Sequence, residues 1–279
     1  MPRSLLSKLW RTPPNIIAAA LMRRLSGKGS RPAWHTVKAG PLQGNRLYVN
    51  PQACELWLDM INGVYDSFLY DELLRRSPLS GMTIWDVGAH FGYHALSFSA
   101  LVGETGQVAA FEPNPYNIER FNMHLHENGS LAGRIRLITT ALSNRDGTVS
   151  LMLSRNVDQG SSTGSHLENA VLPLEAGAYA EFIRHDVSTT TIDALLAAGT
   201  LKQPDIIKID VEGSELQVLE GANQLLAEAR PLIFMEVHNI IMMFHVHRLL
   251  AAHKYELEIL DEERASISRC FIIATPRSA

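Results

Sequence analysis

The sequence predicts a doubly wound α/β protein, a mostly parallel sheet covered by helices on both faces, with a helical extension at its N-terminus. Three observations carry that expectation. Short apolar runs recur with helical stretches between them, as parallel strands buried on both faces require. Several of those runs end in acidic residues or glycine turns, at the strand edge where such sheets bind ligands. The chain of 279 residues holds only Cys54 and Cys270, so a layered core, not a disulfide framework, must stabilise it; this suits a reducing compartment.

Residues 1–49 read as a basic arm. Nine basic residues and no Asp or Glu precede Glu55. The arm is partly amphipathic and broken at Pro13-Pro14. A helical extension packed on the domain is the preferred reading. An anionic membrane surface is the functional alternative, and the acid-poor composition also resembles an organellar transit peptide. No apolar run approaches the roughly 20 residues that span a bilayer, so a cytoplasmic protein, peripheral to a membrane at most, is expected. The acidic balance of the rest argues against a nucleic-acid partner.

Residues 50–279 read as the main domain. Apolar spacing predicts a helix over 50–76, interrupted at Gly63. Strand candidates follow at 83–87, 107–112, 135–141, 205–211 and 232–237, with helices at 93–101, 115–128, 215–229 and 240–253. Residues 255–260 and 270–274 form a closing pair of strands around a polar turn. Residues 154–186 are polar and interrupt the alternation. A long insertion of that kind reads as a substrate-facing lid or as a mobile surface segment.

The first strand candidate runs into IWDVGAHFG, residues 84–92. Its spacing is D-x-G-x-x-x-G, unlike the G-x-G-x-x-G that makes room for a pyrophosphate. Asp86 stands where that first glycine would be and would repel a pyrophosphate. The turn formed by Gly88, His90 and Gly92 therefore suits a nucleoside ligand with positive charge and no phosphate, a description S-adenosylmethionine fits. Glu112 ends the second strand candidate, 24 residues after Gly88, where an acidic residue accepts hydrogen bonds from ribose hydroxyls. Ala141, at the end of the third, is grouped with the same cofactor-binding set.

The stretch DIIKIDVEGSE places Asp210 and Glu212 after the fourth strand candidate, and FMEVH places Glu236 and His238 on the fifth. Residues two apart in extended chain point the same way, so four ionisable groups gather at one edge. A hydroxyl attacking a sulfonium-bound methyl must lose its proton, so a base is required. His238 is the expected base, with Glu212 or Asp210 as rival. Asp210 could instead hold the ammonium of the methionine moiety, and Glu212 could cap the following helix. By ligand type, Asp210, Glu236 and His238 could hold a divalent metal, although the spacing does not require one. His245 and His247 fall on different helix faces and would not chelate together. Met235, Met242, Met243 and Phe244 read as core packing or as an apolar substrate slot. Asn114-Pro115-Tyr116 is set aside as an amino-methylation signature, because it follows the second strand, not the fourth.

Taken in order, DVGAHFGYHAL, AAFEPNP, TTTIDAL, IIKIDVEGSELQVLEGA and RPLIFMEVH resemble the FkbM-type methyltransferases, a family of class I S-adenosylmethionine-dependent enzymes. The resemblance covers about residues 63–238, and KIDVEG is its most specific piece. It implies a Rossmann-like, seven-stranded sheet with an antiparallel last strand, and O-methylation of a hydroxyl on a sugar, glycan or secondary metabolite. It implies that Asp86, Gly88, Glu112 and Asn114 hold the cofactor and that Asp210 and Glu212 lie beside the reacting centre. His90 departs from the family's usual Asn, and Asp66 from its usual Glu. Methyl transfer to nitrogen or carbon is the alternative activity, and a catalytically silent cofactor-binding module the alternative class.

Overall fold

The computed structural model describes residues 31–76, 78–154, 165–168, 170, 182–260 and 269–277. Strands β1 (Ala33–Thr36) and β2 (Arg46–Val49) form an antiparallel hairpin. Two helices follow, α1 (Glu55–Asn62) and α2 (Ser67–Arg76). The helix expected over 50–76 is thus two, because Gly63 turns left-handed at the end of α1.

The main unit then alternates through β3 (Thr83–Val87), α3 (Tyr93–Val102), β4 (Gln107–Phe111), α4 (Pro115–Glu127), the short α5 (Gly129–Ala132) and β5 (Ile135–Ile138). Next come β6 (Ala141–Leu142), β7 (Gly147–Ser154), β8 (His166–Leu167), β9 (Phe182–Thr190) and α6 (Ile192–Ala197). The chain closes through β10 (Ile206–Ile209), α7 (Glu215–Glu220), α8 (Asn223–Glu228), β11 (Leu232–Val237), α9 (Ile240–Ala252), β12 (Tyr255–Leu260) and β13 (Cys270–Pro276).

Seven strands form the main sheet in the order β12-β13-β11-β10-β3-β4-β5. All neighbours are parallel except β13, which runs antiparallel to both β11 and β12. Strand β3 pairs with β4 on one side and β10 on the other. The strand order therefore reverses at β3, and a crevice opens beyond its carboxyl end. Alternation along each strand divides the core in two. Ile84, Val108, Ile206 and Phe234 face helices α1 to α4, while Trp85, Ala109, Ile207 and Met235 face α6 to α9. Burial on both faces explains the continuous apolar runs.

Three expectations need correction. Residues 33–49 are not helical: the hairpin docks on α4, where the Tyr48 N–H donates to His124 Nε2 at 2.8 Å and the Arg46 N–H to Asn128 Oδ1 at 2.9 Å. The expected helical arm, residues 1–30, lies outside the described residues. The strand expected over 135–141 ends at Ile138, and Ala141 instead opens a second, four-stranded sheet of order β6-β9-β7-β8. That sheet takes up both ends of the expected lid, through β7 and β9; residues 155–164, 169 and 171–181 lie outside the described residues. The helix expected over 215–229 breaks at Gly221, where a Cβ would come 2.1 Å from the Ser143 carbonyl oxygen.

Candidate active site

The turn after β3 is built by close backbone approach. A Cβ on Gly88 would lie 1.8 Å from the carbonyl oxygen of Asp210. Glycine is required there because the ends of β3 and β10 converge, a different reason from access for a ligand. The Gly88 and Ala89 N–H groups both donate to the Phe111 carbonyl, at 3.0 and 2.9 Å. Gly92 is also left-handed, and a Cβ there would strike the ring of Phe121.

Asp86 is fully buried and lies off the cavity described below. It is the register partner of Lys208 on β10. The Lys208 ammonium sits 3.4 Å from Asp86 Oδ1 and 3.3 Å from Asp210 Oδ2, and donates to the Gly88 carbonyl at 3.3 Å. Burial works against that ammonium, but Asp210 and then Asp86 outweigh it and hold its pKa above the ordinary value. The carboxylate expected to face the cofactor thus braces the turn through Lys208. The cause is strand parity: Asp86 shares the face of Ile84, and Lys208 lies directly across from it.

Beyond the carboxyl ends of β3, β4, β10 and β11 lies a cavity of about 300 Å³. Gly88, His90, Glu112, Asn114, Ala141, Asp210, Glu212, Glu236 and His238 all line it, whereas Asp86 and Gly92 do not. On the β4 side, Glu112 is buried and accepts the N–H groups of His90 at 2.7 Å and Asn114 at 2.8 Å. Burial pushes its pKa up to about 7, against the pull of those two bonds and one from Asn117. Asn114 uses Oδ1 to cap α4 through the Tyr116 N–H and Nδ2 to donate to Ser165 Oγ. His90 takes a left-handed backbone, φ 53°, and stacks against Trp57. Burial pushes its pKa down to about 3, so the ring is neutral, and its buried Nε2 has no partner within the described residues.

On the β10 and β11 side the lining is ionisable. After β10 the chain turns through two left-handed residues, Glu212 at φ 51° and Gly213 at φ 93°, the first a strained position for a side chain with a Cβ. His238, just past β11, lies with Nε2 at 3.4 Å from Glu212, 3.7 Å from Asp210 and 3.9 Å from Glu236. Its Nδ1 is 2.7 Å from Oε1 of Glu215. Burial would lower the His238 pKa, but the bond to Glu215 and the charges of Asp210, Glu215 and Glu212 push it up to about 10. Glu236 rises to about 8 through burial and the neighbouring Asp210 charge, despite His238 and Arg269. Asp210 is held below its ordinary value, as Lys208 and His238 overcome the effect of burial.

Ligand atoms of Asp210, Glu236 and His238 all lie within 4.8 Å of one another, close enough to share a cation. Three positive groups already serve these carboxylates: Lys208, the His238 imidazolium and Arg269, which pairs with Glu236 at 3.2 Å. A divalent ion would have to displace the His238 proton. His245 and His247 are exposed on α9, Met235 and Met242 belong to the core, and Phe244 is exposed. None of Met235, Met242, Met243 and Phe244 lines the cavity as described.

Sequence reading passed over Glu215, Lys208, Tyr65 and Arg269. Lys208 left a signal, a lone charge inside an apolar strand. Glu215 sat within a quoted motif but read as an ordinary residue of a helix's first turn. Tyr65 lies in the stretch Gly63–Asp66 that resembles the family's G-x-Y-E entry but was given no role, and Arg269 carried no local signal; both line the cavity.

A switch-point cavity, an acidic end on the second parallel strand and an antiparallel last strand inserted beside the fifth together define the class I methyltransferase fold. The chain belongs to one family within it: the FkbM methyltransferase domain matches residues 86–267. It is 29% identical over 193 residues to the hexuronic acid methyltransferase AglP of Haloferax volcanii, covering 69% of this chain and 71% of that protein. It is 28% identical over 152 residues to the 2-O-methyltransferase NoeI of Sinorhizobium fredii, covering 53% of this chain and 60% of that one. The crystal structure of methyltransferase FkbM from Methylobacillus flagellatus KT shares the fold, with a TM-score of 0.51 at 17% identity over 71% of this chain and 44% of that chain.

Proposed function

We propose that the protein is an S-adenosylmethionine-dependent O-methyltransferase acting on a hydroxyl of a sugar, free or within a glycan, with residues 50–279 as the catalytic domain. The observation that carries this reading is one cavity lined by two unlike groups of ionisable residues: the carboxylate of Glu112 at the β4 end, and Asp210, Glu212, Glu236 and the imidazole of His238 at the β10 and β11 ends. The donor set fits the cofactor. Carboxylates suit a cationic nucleoside without phosphate, and Nε2 of His90 and Oγ of Ser214, without partners among the described residues, are buried at the wall of the cavity. Glu112 would take the ribose hydroxyls, and Asp210 the ammonium of the methionine moiety. When bound, S-adenosylmethionine supplies an electrophilic methyl group on a sulfonium whose sulfur keeps the electron pair of the broken C–S bond.

The chain itself has to handle the acceptor's proton. His238 Nε2 faces the cavity beside Asp210 and Glu212 and is placed to receive it, with Glu212 as the rival base. In the free protein His238 is charged well above neutral pH. A cation bound against Asp210 and Glu212 weakens their hold on that charge, which frees Nε2 to accept a proton. The names of AglP and NoeI, one for a hexuronic acid and one for 2-O-methylation, support a sugar hydroxyl. The reading needs no metal and no nucleic acid. The basic residues before Glu55 leave a peripheral contact with an anionic membrane face, from the cytoplasm, as the alternative to a packed extension.

The test is methyl transfer from labelled S-adenosylmethionine to a panel of uronic acids, neutral glycosides, amines and carbon acids, alongside calorimetric binding of the cofactor. Binding with transfer to a sugar oxygen is expected. Transfer only to nitrogen or carbon overturns the acceptor assignment, and binding without transfer to any acceptor favours a silent module.

A further inference from the structure

Glu215 does not line the cavity, and its side chain is fully buried. Its Oε1 accepts the Gly213 N–H at 2.9 Å and lies 2.7 Å from His238 Nδ1. Its Oε2 is buried without a partner among the described residues. Burying a carboxylate with one oxygen unsatisfied is costly. A purely structural link between the Asp210–Ser214 turn and β11 could be made by a neutral amide at lower cost. A carboxylate is warranted where the imidazole it touches must gain a positive charge.

The arrangement around His238 is also one-sided. Among the described residues, Asp210, Glu212 and Glu236 approach Nε2, and Glu215 meets Nδ1. Lys208 and Arg269 are the cations nearest this group, paired with Asp210 and Glu236. The strained turn at Glu212 leads into Gly213, whose N–H holds the Glu215 carboxylate within reach of the ring's Nδ1.

We infer that Glu215 is a positioning residue for the methyl-transfer base: it accepts the Nδ1 proton of His238, fixes the tautomer whose Nε2 lone pair faces the cavity, and holds the imidazolium formed there. This rests on the reading of His238 as the base. The proton of the acceptor hydroxyl passes to Nε2 as the oxygen–methyl bond forms, Glu215 keeps its hydrogen bond to Nδ1, and the imidazolium later returns the proton to solvent. A carboxylate bonded to the far nitrogen of a base imidazole sets tautomer and orientation in the same physical way in other enzymes.

The experiment follows the His238 ring nitrogens by long-range proton–nitrogen NMR across pH, in the full chain, together with pH profiles of kcat. In the unsubstituted protein the neutral ring should carry its proton on Nδ1. Neutral His238 protonated on Nε2 overturns the inference without any variant. In Glu215→Gln the His238 titration and the rising limb of kcat should move together to lower pH, while kcat falls about 100-fold and the KM for S-adenosylmethionine changes little. Glu215→Asp, which keeps the charge, should recover part of the rate. An unmoved titration in Glu215→Gln, with His238→Asn inactive, removes the positioning role and leaves the base standing. Full turnover in His238→Asn removes the base itself, and the inference with it.

Discussion

The two sides of the cavity handle buried charge differently. On the β4 side, Glu112 is held by the backbone N–H groups of His90 and Asn114, which are fixed in place by the turn after β3 and the start of α4. On the β10 and β11 side, Asp210, Glu212, Glu215 and Glu236 are balanced by His238, Lys208 and Arg269. Backbone donors hold a fixed geometry and do not titrate. Ionisable side chains can exchange a proton and change charge. The first arrangement suits a site that must hold a cofactor in one pose, and the second a site that must move a proton during the reaction.

The comparison breaks most readily at His238. If the β11 side is the proton-handling side, His238→Asn should lower kcat by about 10² to 10⁴ while leaving cofactor affinity nearly unchanged, as measured by steady-state kinetics and calorimetry. A loss of affinity with kcat preserved would reverse the assignment of the two sides. Gly88→Ala tests the wall between them. Its left-handed backbone and the Asp210 carbonyl leave no room for a methyl group, so unfolding stability should drop by about 1–3 kcal/mol or more. Unchanged denaturant midpoints would show that the two strand ends can separate freely.

Glu112→Ala should weaken S-adenosylmethionine binding by about 10-fold or more, on the scale of a lost hydrogen bond to a charged group, with little effect on the pH at which activity rises. Affinity equal to that of the parent protein would remove the ribose assignment.

The smallest effect is in pH dependence. Glu112, Glu236 and His238 all have pKa values raised in the folded state, to about 7, about 8 and about 10. Each therefore stabilises the fold fully below its unfolded pKa and loses that contribution as pH rises through the folded value. Stability from these groups should decline between about pH 4.5 and pH 10. Glu112→Gln should flatten the part below about pH 7, and His238→Asn the part above about pH 6.5. Urea unfolding across pH separates the two windows, and a single variant that flattens both would show that the sides are coupled.

Much of the cavity's lining was legible from local pattern. Glu112 was readable because an acidic residue at the end of an apolar run has few structural roles. Asp210, Glu212 and His238 were readable because their strands had to lie side by side. Asp86 gave no sign in sequence of its pairing with Lys208. Its neighbour across the sheet, Lys208, is more than a hundred residues away, and nothing near Asp86 in sequence shows that its charge is already matched. The second sheet was missed for a different reason. Val149, Leu151 and Leu153 alternate as a strand should, but the polar stretch that follows drew the whole region into one expected insertion. Ala141 lines the cavity as expected, but as the first residue of that second sheet and not as the last of β5.

By itself, the sequence determined the alternation of strands and helices, the glycine turn after β3 and the set of acidic strand ends. Strand period, apolar runs and glycine turns are local properties, and they constrain the backbone wherever they occur. Only the tertiary structure decided which of those carboxylates faces the cavity, which is neutralised by a buried lysine, and which holds the imidazole from behind. Those outcomes depend on register between strands far apart in the chain, and on distances of 3–4 Å between charges shielded from water, which no local pattern records.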